Sequence, residues 1–219
     1  MKNRLLISFV LIILLTTYQF KIDSNLSNFL NIEKIIVENN EVVKDKNIKE
    51  NLIFLYEKNI FFLDKKKIKN QLENIDIIDS FEIKRVYPNE IVIKIYEKKP
   101  IAILQNKREK KYFTIKGDEI DFFVFKKFEN LPTVFGDKEN FKRFYFDLSQ
   151  SNFPIHIIKN FYFFESKRWD LITKNNQTIK LPIKDYTKSL TNFLSIKDKN
   201  NFKQYKIFDY RINDQLILK

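Results

Sequence analysis

The segment that most constrains the fold is residues 80–97, where apolar and polar residues alternate on both sides of a turn. Strict alternation places the apolar side chains of each run on one face of a strand. Pro88, within the run 87–90, favours a tight turn. The pattern predicts a hairpin of two strands, residues 80–84 and 90–97. Its buried face is predicted to carry Phe81, Ile83, Ile91, Ile93 and Ile95.

The residues before this hairpin indicate a short strand followed by two helices. Residues 33–38 form a β-rich run that ends at Asn39 and Asn40. Residues 44–56 carry apolar side chains at helical spacing, and Asp64 is the predicted N-cap of a second helix. The apolar positions of the two helices are Ile48, Leu52, Leu55, Ile68, Leu72 and Ile75. The order β-α-α-β-β predicts a three-stranded sheet whose apolar face is covered by both helices.

Residues 32–99 resemble a POTRA domain of the FtsQ/DivIB type. The most diagnostic stretch is the hairpin RVYPN at residues 85–89, which runs into EKKPIA at residues 97–102. The first strand, IIVENN at residues 35–40, and the connector between the helices, NIFFLD at residues 59–64, match as well. The resemblance implies that this segment folds as one α/β domain.

Residues 100–219 predict a second, β-rich domain with two helices. Apolar spacing indicates helices at 139–149 and 186–196. Pro132 and Gly136 bracket a break, while residues 175–177 and Asn213–Asp214 are predicted turns. Short apolar runs indicate strands at 101–104, 111–115, 161–164, 168–173, 178–181, 205–212 and 215–218.

This second domain carries further landmarks of the FtsQ family, in which a POTRA domain is followed by such a β domain. The landmarks are RWDL at residues 168–171, IKLP at residues 179–182, and Asp209-x-Arg211 near the end of the chain. Family members often have Asn-Gly in the central hairpin, where this chain has Asn-Gln at residues 176–177. With the N-terminal segment included, the resemblance covers essentially the whole chain.

The N-terminus carries a membrane signal. Residues 5–20 are mostly apolar, and Lys2, Arg4 and Lys21 flank them. Such a helix spans about 24 Å, and snorkelling flanks help it to cross a hydrocarbon core of about 30 Å. A cleaved signal peptide is the alternative, but no pair of small residues marks a cleavage site. The fold class expected is therefore α+β: an N-terminal transmembrane helix, the POTRA domain and the β-rich domain.

The basic flank also predicts the topology of the chain. Residues 1–4 are expected in the cytoplasm, residues 5–20 in the inner membrane, and residues 21–31 in a linker. The POTRA domain at 32–99 and the FtsQ-type β domain at 100–219 are then expected outside this membrane. That location is the periplasm in a cell with an outer membrane, and the protein would be single-pass and type II.

Nothing in the sequence indicates an enzyme. The chain has no cysteine, one histidine (His156) and two glycines (Gly117 and Gly136), so metal-ligand spacings and a phosphate-binding loop are missing. We expect no catalytic residue, cofactor, metal or small-molecule substrate. The net charge of +12 is carried by dispersed lysines. Its predicted role is a solvated basic surface, or secondarily a membrane-facing or partner-facing patch, rather than a nucleic-acid site.

The resemblance implies a scaffold of the divisome at the division septum. Family members bind bitopic division proteins of the FtsB and FtsL type, together with other divisome proteins, and the last strand of the β domain pairs with a partner strand. An unpaired sheet edge suits this mode because its backbone N–H and C=O groups are free. The candidate partner-binding residues are Phe208, Tyr210, Leu216 and Leu218, which could equally belong to the core.

An alternative is a POTRA-containing export or outer-membrane assembly factor, because POTRA domains also handle unfolded β-strands. Those proteins usually have several POTRA copies or a large membrane barrel. This chain has one predicted copy, and its 219 residues are too few for such a barrel. A cell-wall hydrolase ranks third because no catalytic set supports it.

Overall fold

The computed structural model describes residues 2–17, 29–107, 109–212 and 215–219. The chain divides into two compact units. Unit 1 comprises residues 1–75 and 80–96, and unit 2 comprises residues 76–79 and 97–219. The predicted limits of the two domains, including the boundary between residues 99 and 100, stay predictions.

Helix α1 spans Lys2–Thr17. The side chains described in it, those of residues 5–15, are all exposed. Across the described ranges, no helix has both the length and the apolar character that crossing a membrane requires. The last residues of the predicted span, 18–20, and most of the predicted linker, 21–28, lie outside the described residues.

Unit 1 has the predicted order β-α-α-β-β. Its elements are β1 (Lys34–Glu38), α2 (Asp45–Asn51), α3 (Lys65–Glu73), β2 (Ile78–Val86) and β3 (Glu90–Glu97). Strand β3 lies between β1 and β2, and it runs parallel to β1 with Ile35 beside Ile91. The sequence-based prediction of this sheet is therefore confirmed.

The core of unit 1 contains most of the apolar positions predicted from periodicity, but Ile75, Phe81 and Ile83 are only half-buried. The alternating residues of β3 and the inward positions of both helices are completely buried: Ile91, Ile93, Ile95, Ile48, Leu52, Ile68 and Leu72. Asp64 caps α3 as predicted, since its carboxylate accepts the backbone N–H of Lys67 at 3.0 Å. The first predicted helix, 44–56, is shorter than expected. It ends at Asn51, and a 3-10 turn over Ile53–Leu55 then brings Leu55 into the core.

The described residues of unit 2 form one mixed sheet of nine strands, in the order β12-β11-β10-β9-β8-β7-β4-β5-β6. The two helices are α4 (Lys138–Gln150) and α5 (Tyr186–Ile196). The first five strands are β4 (Pro100–Asn106), β5 (Glu109–Thr114), β6 (Glu119–Asp121), β7 (Thr133–Phe135) and β8 (Ile158–Phe163). The others are β9 (Trp169–Thr173), β10 (Thr178–Lys180), β11 (Ile207–Asp209) and β12 (Ile217–Leu218).

Several strands of unit 2 differ from the sequence-based prediction: β6 was not predicted, and β12 covers only the second half of the predicted run 215–218. Strand β7 occupies the predicted break between Pro132 and Gly136, where it pairs in parallel with both β4 and β8. Val134 at its centre is fully buried, so tertiary neighbours rather than local pattern define this three-residue strand. The predicted strand 205–212 shortens to β11, and the predicted turn at Asn213–Asp214 lies outside the described residues.

Aromatic side chains fill the core of unit 2. Helix α4 buries Phe141 and Phe144, and the Phe144 ring stacks on Trp169 with centroids 4.8 Å apart. Gly136 is required where the chain leaves β7, because a Cβ there would come within 2.7 Å of the Phe163 Cβ. These side chains belong to one hydrophobic cluster in which strands of the sheet pack against α4 and α5.

Candidate partner-binding edge

Strand β12 forms one end of the nine-stranded sheet. Among the described strands it pairs with β11, in an antiparallel register that sets Leu218 opposite Phe208 and Ile217 opposite Asp209. Beyond this ladder, the last residue is also held, because Lys219 donates its N–H to the carbonyl oxygen of Ile207 at 3.1 Å. The edge is therefore short but fixed at its C-terminal end.

The backbone groups of β12 alternate between the two sides of the strand. Ile207 and Lys219 exchange both hydrogen bonds, at 2.9 and 3.1 Å, so the N–H and C=O of Lys219 point toward β11. In an antiparallel ladder the neighbouring residue points its groups the opposite way. The backbone groups of Leu218, and of Leu216 two residues earlier, consequently face away from the sheet. They are the groups to which a further strand would bond.

Two of the candidate side chains lie in the core of unit 2. Phe208 is fully buried, and its ring meets the Phe193 ring edge-on with centroids 5.0 Å apart. Tyr210 is also buried, and its hydroxyl donates to the Asn192 Oδ1 at 2.9 Å. Burial raises the pKa of the Tyr210 phenol. That Phe208 and Tyr210 contribute to partner binding stays a prediction. Because their side chains are buried, they would contribute by holding β11 in position.

The other two candidates, Leu216 and Leu218, lie on the edge itself. Both side chains are half-buried and pack against the hydrophobic core of unit 2. Ile217, between them, is 38% exposed and points to the opposite face. The leucines thus attach the edge strand to the domain, while their backbone groups face outward. This combination is what an edge needs in order to accept a partner strand without unfolding.

A charged pair fixes the chain where it leaves β11. The guanidinium of Arg211 donates from Nε to the Asp209 Oδ1 at 2.8 Å and from Nη2 to Oδ2 at 2.6 Å. The backbone N–H of Arg211 also donates to Oδ1, at 3.1 Å. These bonds, with the side-chain bond to Arg211 as the largest cause, hold the pKa of Asp209 below its ordinary value. The pair therefore sets the direction of the chain toward β12.

A second buried carboxylate lies two strands away, and sequence reasoning missed it. Asp170 of β9 and Asp209 of β11 both have Lys180 of β10 as their cross-strand neighbour. Burial raises the pKa of Asp170, although the Arg168 Nε lies 3.5 Å from its carboxylate. The RWDL and Asp-x-Arg segments contained these charges, but only the register brings them into one row.

An open groove of about 510 Å³ runs beside the C-terminal edge. On one side α5 and the residues before it contribute Lys184 and Lys188, and on the other the C-terminal segment contributes Gln215 and Leu216. The remaining lining residues are Pro182, Asp185, Ser189, Asn192, Tyr210 and Ile212. The groove therefore continues the edge with a surface that carries two lysines.

The described residues show no arrangement typical of catalysis. His156 is exposed in a 3-10 turn over Ile155–Ile157. In the part of the chain that the structure describes, no group of three or more His, Asp or Glu side chains is placed to hold a metal ion. The features with functional geometry are thus the sheet edge and its groove.

Comparisons with known proteins agree with this architecture. The family model described as "POTRA domain, FtsQ-type" matches residues 30–98. The cell division protein FtsQ of Rickettsia typhi is 30% identical over 185 residues, which cover 82% of this chain and 69% of that protein. FtsQ of Rickettsia conorii is 28% identical and covers 82% and 68%, respectively. Cell division protein DivIB of Clostridium tetani is 30% identical over 127 residues, which are 58% of this chain and 44% of that protein.

Proposed function

The chain belongs to the FtsQ/DivIB family of cell-division proteins, and we propose that it serves this role as a non-enzymatic scaffold of the divisome at the septum. The single observation that carries the proposal is that β12, among the described strands, pairs on one side only, so that the backbone groups of Leu216 and Leu218 face outward. A scaffold needs a surface for other proteins rather than a reaction centre, and a sheet edge supplies one.

The partner that fits this edge is a bitopic division protein of the FtsB or FtsL type. It would add a strand beside β12 and bond to the N–H and C=O of Leu216 and Leu218. Each such bond contributes about 0.5–1.5 kcal/mol. The adjoining groove, with Lys184 and Lys188, would contact acidic side chains of the same partner. Backbone pairing thus supplies affinity, and the groove supplies specificity.

The proposal includes a membrane anchor at the N-terminus. The apolar side chains of residues 5–15 in α1 are exposed, as expected of a segment that contacts lipid. Residues 5–20 would cross the inner membrane, with residues 1–4 in the cytoplasm because Lys2 and Arg4 favour that side. A POTRA domain at 32–99 and a β domain at 100–219 would then work outside the membrane.

The edge is tested by replacing Leu218 with proline. Proline lacks the N–H that points outward, so a docked strand loses one backbone bond and its neighbours are displaced. We expect binding of an FtsB-type partner to weaken tenfold or more, which corresponds to about 1.4 kcal/mol. Isothermal titration with the purified full-length protein in detergent measures this effect.

Two further variants separate binding from folding. Leu218→Ala removes the packed side chain but keeps the N–H, so it should bind the partner better than Leu218→Pro. Lys219→Pro removes an N–H that bonds inward to Ile207, and it should lower stability with little direct effect on the docked strand. If Leu218→Pro keeps both its thermal stability and its partner affinity, β12 is not the binding edge.

A fluorescent fusion tests the cellular role. A divisome scaffold should appear as a ring at midcell during division, whereas an export or outer-membrane assembly factor should label the envelope uniformly. A uniform signal in dividing cells would contradict the proposed septal location.

A further inference from the structure

Unit 1 exposes three aromatic side chains in the hairpin turn and in the connector between α2 and α3, which we call the aromatic tip: Phe61, Phe62 and Tyr87. Their exposed fractions are 52%, 84% and 55%, respectively. The Phe61 and Tyr87 rings stack with centroids 5.2 Å apart, so the hairpin turn and the connector between α2 and α3 meet here. A folded domain that leaves such a cluster in water marks a contact surface.

The connector is built to hold these rings outward. Asn59 makes a tight turn, because its side-chain oxygen accepts the Phe61 N–H at 2.9 Å and its carbonyl accepts the Phe62 N–H at 3.0 Å. Arg85 of β2 donates from Nε to the Ile60 carbonyl at 2.8 Å. Ile60 is fully buried between these bonds. The two phenylalanines are therefore presented by a fixed loop.

The chain enters unit 1 beside this same loop. Ile60 donates its N–H to the Leu30 carbonyl, and Ile32 donates to the Lys58 carbonyl, both at 2.9 Å. Phe29, at the point of entry, is itself 59% exposed. Twelve residues, 18–29, lie between the end of α1 at Thr17 and Leu30. They span at most about 45 Å, so a membrane that holds α1 stays within reach of the aromatic tip.

The charges near the aromatic tip suit an anionic lipid surface. Lys65, Lys66 and Lys67 open α3 and are all exposed. Carboxylates lie in the same region: Glu57 precedes Lys58, Asp64 accepts the Lys67 N–H, and Glu33 accepts from the Asn89 side chain in the hairpin turn. Aromatic rings flanked by lysines are typical of segments that lie at the level of lipid headgroups.

We propose that the aromatic tip docks on the headgroup region of the bilayer that holds α1, and so keeps unit 1 against the membrane surface. The proposal rests on the membrane anchor of the proposed function. The aromatic tip would be a second contact with the membrane. Its effective concentration at the bilayer surface would be set by the length of chain between α1 and Leu30. A lipid surface suits this site because Phe62 protrudes from the loop, as its exposure shows.

Single-cysteine labelling of the full-length protein tests the proposal, since the chain has no cysteine of its own. A fluorophore is attached after Lys58→Cys, which leaves the aromatic tip intact, or after Ser80→Cys as the control. Ser80 lies six residues, about 20 Å of strand, before the end of β2 at Val86. Both proteins are placed in liposomes that contain anionic lipids and lipids with a quencher in the headgroup region.

The label at position 58 should be quenched at least twofold more than the label at position 80. Adding Phe61→Ser and Phe62→Ser to the Lys58→Cys protein should abolish this difference. Equal quenching at both positions, or quenching that survives the serine changes, overturns lipid docking and leaves the anchor standing. A protein that fails to float with the liposomes overturns the anchor, and the docking with it. If the fluorescence of the label at position 58 changes only when an FtsB-type partner is added, the aromatic tip belongs to a protein interface instead.

Discussion

The pair formed by Asp209 and Arg211 allows a sharp test of how the C-terminal edge is held. Asp209 is 5% exposed and accepts two side-chain bonds and one backbone bond from Arg211. Asp209→Asn keeps the shape of the side chain but removes its charge and one of its acceptor oxygens. The substitution therefore isolates the contribution of the carboxylate.

The expected loss follows from the geometry of the pair. Hydrogen bonds to a charged group contribute about 1.5–3 kcal/mol when their partner is buried. The Arg211 side chain is 43% exposed, so solvent screens part of this interaction. We expect Asp209→Asn to lower the free energy of unfolding of unit 2 by about 1.5 kcal/mol, which lowers its Tm by about 5 °C.

The stability lost in Asp209→Asn should depend on pH in a defined direction. Arg211 holds the pKa of folded Asp209 below its ordinary value. The unfolded carboxyl titrates near pH 3.9, so the stabilisation is present above about pH 5 and is lost as pH falls through the lower, folded pKa. The difference between the native protein and Asp209→Asn should therefore be constant from about pH 5 to 8 and shrink below pH 4.

Tryptophan fluorescence follows the unfolding of unit 2 separately from that of unit 1. Trp169 is the single tryptophan, and it lies in the core of unit 2 with 6% exposure. Asp198→Asn is the matched control, because that side chain is 79% exposed beside Lys197 and should change stability by less than about 0.5 kcal/mol. Equal Tm values for the native protein and Asp209→Asn at pH 7 would refute the reasoning, as would a difference that grows at low pH.

Two further predictions concern the ends and the boundary of the domains. A fragment of residues 28–100 should unfold cooperatively by circular dichroism, because it holds α2, α3 and the strands β1, β2 and β3. A broad, gradual transition would contradict the predicted boundary at residues 99 and 100. Protein isolated from membranes should retain its N-terminal segment in mass spectrometry, because no small-residue pair invites cleavage. A new N-terminus between residues 16 and 24 would identify a cleaved signal peptide.

The fold of unit 1 was predictable because its local patterns agree with its tertiary contacts. Alternation in β3 identified Ile91, Ile93 and Ile95, and all three are fully buried. Asp64 was recognisable as an N-cap because its side chain bonds within the first turn of α3. Where elements are long enough to show a period, the period determines which face is buried.

The centre and the edge of the unit 2 sheet were harder to predict for a physical reason. Strand β7 has three residues, too few to show alternation, and its place between β4 and β8 depends on partners at least 25 residues away. The candidates Phe208 and Tyr210 alternate correctly, but alternation cannot separate a penultimate strand from an edge strand. Only the strand order shows that β12 lies outside β11.

The shortness of β12 bears on the proposed docking site, because it limits what can pair there. A long, flat, apolar edge would pair with any strand and promote aggregation. Here the strand comprises Ile217 and Leu218, it is closed by Lys219, and two leucines on its inner face attach it to the core. A partner that bonded to these few outward groups alone would bind weakly. If β12 is the docking site proposed above, specific binding requires the partner to fill the groove beside Lys184 and Lys188 as well, and this double requirement would disfavour an unrelated strand.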